Sequence, residues 1–545
     1  LSGEEKAVQP EARGDWTSWW PLIAASLLWL VIVALTVLSI MRETGGRLIY
    51  ASDDVYIDMA MARNLVRHGV WGVTPYGFTS SASSLAWPVL LAAGYGLFGV
   101  NEWSPLALNL VLSLILLVVA FRIARAHGAS SWIVFATLFA IIFFAPLTAI
   151  VFAGLETVLQ VLLALAFAEA LWSELCKPPL DRAKPITLSQ SALVGLAVCL
   201  TLVRYEGLFL ALAGGLLLAW RRRFRLGLMV VAGALLPVAA WAAFSVMKGW
   251  YPLPNSVLVK SAPFSDIIPE TPAMTLTRPI RFLSGKDYML SLAALLIVLW
   301  FLGWTRNRRG IQFFAPGLFF FMVVLQHGTL IDIEWFYRHG AYLVVLGIWA
   351  LEATTSRVPQ VIPRRTPPIA LSAGVCGLLL LYPLFARGTG ALLDTPVASY
   401  NIYEMQYQMG LFLKQYHSGQ AVAANDIGAI DYLADLHLVD LYGLASMDVA
   451  RAKLSGQFTT AVIERVTTDQ NARVAIVYDL WFAQIGLPSS WVKVREWHYK
   501  DCYVCGEDTV SFYALSRDEA APLQSELEAF SRRLPRSVQD VAVTH

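Results

Sequence analysis

Charge is what this chain lacks. Asp, Glu, Lys and Arg make up 15% of its 545 residues, where a soluble globular domain carries about 25%. Hydrophobic residues reach 57% and the mean hydropathy is +0.57. A soluble globular protein is thereby excluded and a membrane protein indicated. The net charge of +2 gives no footing for nucleic acid, and no nucleic-acid partner is expected. Cysteine is scarce too, five in all. Cys176, Cys199 and Cys376 fall in or beside apolar runs. Cys502 and Cys505 form a lone CxxC with no second CxxC to complete a zinc site. A disulfide fits them if their segment lies outside the cytoplasm. No internal repeat and no low-complexity tract is present. The chain begins at Leu1 without a Met and reads as a processed or trimmed product. The apolar run 19–40 has no small-residue cleavage site after it, so it reads as a retained span and not as a signal peptide.

Long apolar runs are abundant. A helix rises 1.5 Å per residue, so a crossing takes about 20 mostly apolar residues. Runs at 19–40, 103–122, 131–148, 153–172, 188–203, 207–220, 226–246, 289–304, 311–327, 339–352 and 368–387 predict eleven spans. The short pair 188–203 and 207–220 also admits a reading as one long bent helix. With the N-terminus inside, the cytoplasmic loops are 122–127, 177–184, 221–225, 306–309 and 357–365, all of them basic. The opposite loops carry Asp53, Asp54, Asp58, Glu156, Glu206, Asp266, Asp332 and Glu334. That alternation obeys the positive-inside rule. Counting the apolar stretch 85–99 as a span would invert every later loop. It is therefore expected to be a helix at the outer surface, inside a long structured outer loop, 41–102.

Three regions follow: a cytoplasmic tail 1–18, a membrane domain 19–389, and an extracytoplasmic segment 390–545. The last turns abruptly soluble in composition. Short strand patterns at 421–426, 437–443, 473–479 and 508–515, with helical stretches such as 401–416, predict an α/β domain. The expected fold class is a polytopic α-helical membrane protein with a C-terminal extracytoplasmic α/β domain.

Ionisable groups near the hydrocarbon are expensive and mark function. The motif 52-SDDVYIDMAMARN-64 puts two adjacent acids at the start of a helix, with Ser52 as an N-cap. Acids in a first turn suit the helix dipole. Two adjacent carboxylates also raise one pKa between them, which suits a general base beside a positioning or metal-binding group. Asp58 lies one turn past Asp54 on the same face, either supporting the site or facing solvent. Arg63 and Arg67 continue the helix as caps, ion pairs or anion contacts. Other outer loops read 153-AGLE-156, 203-VRYEG-207, 249-GWYPLPNSVLVKSA-262 and 331-IDIEWFYRHG-340. They offer Glu156, Arg204 and Glu206 as a shared polar pocket or as ordinary ion pairs. They also offer Asn255 and Lys260, then Arg338 and His339 beside the aromatic belt Trp335–Tyr337. Lys260 and Arg338 suit a phosphate, weighed against snorkelling and interface anchoring. One face thus collects acids, phosphate-binding cations and aromatic surface. Joining a lipid phosphate to a polar acceptor needs such a set. Nucleotide sugars are absent outside the cell, so an activated sugar there must arrive on a lipid.

The sequence resembles the GT-C superfamily, multi-span glycosyltransferases that use polyprenyl-phosphate sugars. The resemblance rests on 53-DDVYIDMAMARNL-65 followed by 79-TSSASSLAWPVLLA-92, on 154-GLET-157, 204-RYEG-207 and 252-PLPNSVLVK-260, and on 425-NDIGAIDYLADLHLVDLYGLA-445. The last run resembles the opening of the outer domain in a bacterial subgroup that includes mycobacterial-type terminal arabinofuranosyltransferases. Tyr205 stands where the family pattern has proline, and aliphatic residues follow Asn255 where aromatic ones are usual. Both departures leave the sugar and the subgroup open. The resemblance implies Asp53 or Asp54 as the catalytic base, with Asp53 preferred. Lys260 and Arg338 would hold the donor phosphate. Glu156 and Glu206 would line the cavity, and Asp58, Arg204, Asn255 and His339 stand beside them as candidate substrate-binding residues. It implies a polyprenyl-phosphate-linked donor, with a pentofuranose among the sugars to consider. The acceptor would be an envelope glycan or glycolipid, and the anomeric centre would invert. The setting would be the outer face of a bacterial cytoplasmic membrane, with the chain acting as a monomer. Use of a divalent metal ion stays open. A transporter, a flippase for lipid-linked precursors and a ligand-sensing scaffold are the competing readings. None of them needs a base beside an acceptor. In the outer domain 481-WFAQIG-486, Trp491 and Trp497 are expected either as stacking surfaces for a glycan or as core.

Overall fold

The computed structural model describes residues 18–178, 185–260, 286–305, 310–331, 336–355, 367–500 and 502–543. Asp266, Asp332, Glu334 and Trp335 lie outside the described residues, as do most of the basic loops 177–184, 306–309 and 357–365.

Helices occupy all the predicted spans. α1 is Trp20–Glu43, and the outer loop after it contains α2 (Asp54–His68) and α3 (Trp87–Phe98). The bundle continues with α4 (Ser104–Ala126), α5 (Ser131–Phe144), short α6 (Leu147–Phe152), α7 (Thr157–Cys176), α8 (Leu188–Val203), α9 (Gly207–Trp220) and α10 (Phe224–Met247). After the short α11 (Asn255–Lys260) come helices Asp287–Thr305, Ile311–Leu330, Ala341–Thr355 and Pro367–Ile402. Among the described residues five helices are long and apolar enough to cross a membrane on their own, and shorter apolar helices accompany them. The chain is a polytopic α-helical membrane protein.

The stretch 85–99 is a helix outside the span series, packed chiefly on α2. Val89, Leu90, Leu97 and Phe98 stay exposed on its far side. The pair 188–203 and 207–220 is two helices and not one bent rod, because Arg204 leaves helical geometry with φ −155° and ψ 143°. Small residues let neighbours approach where lipid supplies no hydrophobic drive. A Cβ on Gly227 of α10 would sit 2.8 Å from the Gly215 carbonyl of α9, so these backbones touch. Arg223, from the basic run 221–225, donates to Glu174 at 3.1 Å and to the Pro178 carbonyl at 2.7 Å.

The helix Pro367–Ile402 does not stop near residue 390. It runs through a π-turn, Tyr403–Tyr407, into Gln408–Tyr416, making one rod from bundle to outer domain. The outer domain has a six-stranded sheet of β1 (Ala421–Ala424), β2 (His437–Asp440), β3 (Val474–Val477), β4 (Val492–His498), β5 (Thr509–Ala514) and β6 (Gln539–Ala542), in the order β2-β1-β3-β5-β4-β6. β1 pairs parallel with β2 and β3, and the other pairings are antiparallel. β4 and β6 were not expected from the sequence. The register of β4 shifts between Lys493 and Arg495, which breaks the alternation that reveals a strand. β6 is a short, mostly exposed edge.

Trp497 is fully buried among Phe412, Phe512 and Phe530, and Trp491 is buried as well. Trp497→Ala should therefore lower outer-domain stability by about 3–5 kcal/mol, with a far smaller loss for Trp481→Ala. Pulse proteolysis of the full chain in urea, scored on cleavage within 400–543, measures both.

Candidate active site at the seam of the two domains

α2 lies alongside the outer-domain helix Gly428–Leu433 and meets it at both ends. At the start, the Asp53 carboxylate accepts from the backbone N–H of Gly428 at 2.7 Å and of Ala429 at 2.8 Å. At the finish, Arg63 donates to the carbonyls of Tyr432 at 2.8 Å and Asp431 at 3.1 Å. Helix ends leave just these groups without intrahelical partners, so one membrane-domain helix satisfies both ends of an outer-domain helix. Ser52 does not act as the N-cap. Asp53 takes the cap position, and its side chain makes no cap bond to its own helix because the outer domain engages it. Gly428 has no room for a Cβ, which would collide with the Asp53 carbonyl and carboxylate.

Asp54, the next residue, faces a different neighbourhood. Lys260 donates to its Oδ1 at 3.0 Å and Arg338 to its Oδ2 at 2.6 Å. Burial opposes its ionisation, but the two cations outweigh burial and hold its pKa well below the ordinary carboxylate value. Asp53 is shifted the other way. Burial, then the adjacent Asp426 carboxylate, raise its pKa well above the ordinary value, against the two N–H groups. Two neighbouring acids thus diverge in protonation behaviour, a pattern that separates roles in acid–base sites.

A second cation cluster backs the first. Arg204 donates to Glu156 Oε1 at 2.7 Å and to Glu206 Oε1 at 2.6 Å. Glu206 is held below its ordinary pKa, burial being outweighed by Arg204. Arg338 Nε donates to His339 Nε2 at 3.1 Å. His339 Nδ1 lies 3.4 Å from Arg204 and 4.0 Å from Glu206. Burial, then the charges of Arg338 and Arg204, push the His339 pKa well down. Asp58 is buried between the clusters, and burial, then Glu156 and Asp54, raise its pKa well above the ordinary value. Glu156 Oε2 is buried with no hydrogen-bond partner among the described residues.

Asp54, Asp58, Glu156, Arg204, Glu206, Lys260, Arg338 and His339 therefore converge, although they come from five separate loops. Asn255 lies to one side. Its amide donates to the Gly443 carbonyl at 3.0 Å, and its backbone N–H to Ser80 O at 2.9 Å. Among the described residues no group of three or more His, Cys, Asp or Glu converges as metal ligands. Among these residues Asp54 is already engaged by two cations. The sequence reading assigned no role to Asp426, Gly428 or Tyr478. Asp426 accepts from Gln406 at 2.8 Å and from the Tyr478 hydroxyl at 2.9 Å. The signal for it was present in 425-ND-426, within the run that carried the family resemblance.

Bundle, outer-loop helices and outer domain together are similar in fold to a solved protein. That protein is ArnT from Cupriavidus metallidurans, determined bound to undecaprenyl phosphate. It is 14% identical over 90% of this chain and 98% of that chain, with a TM-score of 0.51. The apo form of the same protein is 15% identical over 91% and 99%, with a TM-score of 0.47. At such identities the likeness is one of fold. A family model described as a domain of unknown function, DUF8728, matches residues 400–513, the larger part of the outer domain. Comparison with curated proteins gives no match.

The packing at Gly428 yields a direct test. Gly428→Ala should loosen the seam, and hydrogen exchange should rise over 425–433 and in α2 together. Arg63→Met should do the same from the other end, with less effect near Asp53.

Proposed function

We propose that this chain is a glycosyltransferase that moves a sugar from a polyprenyl phosphate to an envelope glycan or glycolipid on the outer face of a bacterial cytoplasmic membrane. The observation that carries the reading is the clamp of Lys260 and Arg338 on one carboxylate, beside a second carboxylate of opposite pKa shift. Two converging cations suit a phosphate ester. ArnT, the protein of like fold, was solved with undecaprenyl phosphate, and a ligand of that class is proposed here. The basic inner loops support the orientation. So does the Cys502–Cys505 disulfide, since disulfides persist in oxidising compartments.

In this mechanism Asp53 is the base. Its raised pKa brings it nearer the range in which a carboxylate accepts a proton usefully, and it stands where the outer domain meets the membrane domain. The acceptor hydroxyl oxygen attacks the anomeric carbon while its proton passes to Asp53. The bond from that carbon to the phosphate oxygen breaks, and the phosphate leaves with the electron pair. Lys260 and Arg338 stabilise the departing charge. Asp54 holds the two cations in place and yields them to the phosphate when the donor arrives. Attack opposite the leaving group inverts the centre. Glu156 Oε2 and Asp58 remain to meet sugar hydroxyls, and Arg204 with His339 fixes the far wall. Every group named comes from one chain, so a monomer suffices. A pentofuranose donor is the first to try, given the subgroup resemblance of 425–445.

The assay is transfer by the purified full chain with a panel of polyprenyl-phosphate pentoses and hexoses. Asp53→Asn should lower turnover by about 10²–10⁴-fold while undecaprenyl phosphate still binds. Lys260→Ala and Arg338→Ala should weaken that binding. Full turnover in Asp53→Asn with a true donor would remove Asp53 from the base role. Because the ionised base is the active form and its pKa is raised, transfer should rise with pH through a midpoint above the ordinary carboxylate value of about 3.9. A pH profile of kcat/KM for the acceptor reads that midpoint.

A further inference from the structure

In the outer domain β1 leads to β2 on one side, and the chain then crosses to β3 on the other, with all three strands parallel. The carboxyl ends of β1 and β3 therefore form a topological switch point, where open α/β sheets bind ligands. That edge faces the membrane domain. Asn425 and Asp426 follow β1 directly, and Tyr478 follows β3. Asn425 Oδ1 accepts from Tyr478 N at 3.1 Å, and the Tyr478 hydroxyl donates to Asp426 at 2.9 Å. The Asn425 side-chain nitrogen and the Gln406 side-chain oxygen are buried here with no partner among the described residues.

Outward from Tyr478 runs a line of aromatic rings. Trp481 lies 5.3 Å from Tyr478 and Tyr442 lies 5.2 Å from Trp481, centroid to centroid. Trp481 is 41% exposed, unlike Trp491 and Trp497 of the same domain. It is also held in place. Its indole N–H donates to Gly506 O at 3.1 Å, and the neighbouring Leu480 N–H donates to Glu507 at 2.9 Å. Lys453 lies 4.3 Å over the Tyr442 ring.

We propose that this edge, from Asp426 through Trp481 to Tyr442, is the subsite for the acceptor saccharide, an inference that rests on the transferase reading above. Rigid, half-exposed aromatic faces suit the apolar C–H faces of sugar rings, while carboxylates and amides take the hydroxyls. The line begins at Asp426, beside Asp53. It therefore receives a saccharide longer than one sugar, whose reacting hydroxyl lies at Asp53 and whose next rings stack on Trp481. A folded protein partner has no need of the carboxylate end of the line.

The test uses the full chain in nanodiscs with two readouts. The first is direct binding to an array of bacterial envelope oligosaccharides. The second is the acceptor KM in the transfer assay. Trp481→Ala should weaken array binding and raise acceptor KM about tenfold or more, with undecaprenyl phosphate binding unchanged. Trp481→Phe should restore most of the loss, and Tyr442→Ala should give a smaller one. Transfer whose acceptor KM ignores both alanine variants overturns the subsite and leaves the transferase reading standing. Trp481-dependent glycan binding without transfer from any donor overturns the transferase reading and keeps the subsite. Failure of the wild type to bind any array glycan, or Trp481-dependent capture of a polypeptide in their place, overturns the subsite.

Discussion

Two backbone N–H groups at the start of the helix Gly428–Leu433 hold the Asp53 carboxylate, and the geometry of the site follows from that contact. Adjacent residues on a helix point about 100° apart. With Asp53 fixed on the outer domain, Asp54 turns away from it and toward Lys260 and Arg338. Asp58, one turn on, then falls among Glu156, Arg204 and Arg338. A side chain at 428 would push Asp53 off its donors and rotate the whole face. The acids cap neither α2 nor each other. The first is spent on a neighbour 375 residues away in sequence.

The same contact explains how so many charges survive in a low-dielectric setting. An unpaired buried charge is costly, and a half-satisfied cluster is worse than an apolar one. Around Asp54 and Arg204 the cations are Lys260, Arg204 and Arg338, and the carboxylates are Asp54, Asp58, Glu156 and Glu206. One acid is in excess. Asp58, whose pKa is raised well above the ordinary value, takes up that excess by staying toward its protonated form. His339 sits between the two arginines, with Nε2 3.1 Å from Arg338 and Nδ1 3.4 Å from Arg204.

Much of this was legible in the sequence because it depends on local or one-dimensional rules. Span length follows from hydrocarbon thickness. That rule survives short helices such as 188–203 and 207–220. The converging residues were legible as a set because acids and cations in outer loops are few. What was not legible is pairing across the chain. Nothing local tells that Asp53 meets Gly428, that Arg63 meets Tyr432, or that Asn255 meets Gly443. β4 was hidden by its bulge and by Lys493, Arg495 and Glu496. The choice between stacking surface and core for the outer tryptophans needed burial, which separates Trp481 from Trp491 and Trp497.

These cross-chain contacts bear on what the outer domain is for. α11 begins with Asn255 tied to the Gly443 carbonyl of the outer domain and to Ser80 of the first outer loop. It ends with Lys260 on Asp54. The outer domain therefore holds both sides of the site. Through Gly428 and Ala429 it holds the Asp53 carboxylate, and through Gly443 it holds the short helix that presents Lys260. A module that merely tethered a substrate would need neither link. Since the two anchors sit after β1 and after β2 of one sheet, any shift of that sheet relative to the bundle moves Asp53 and Lys260 together. Their spacing is set by a rigid element and not by two independent loops, the support that a site of fixed geometry needs.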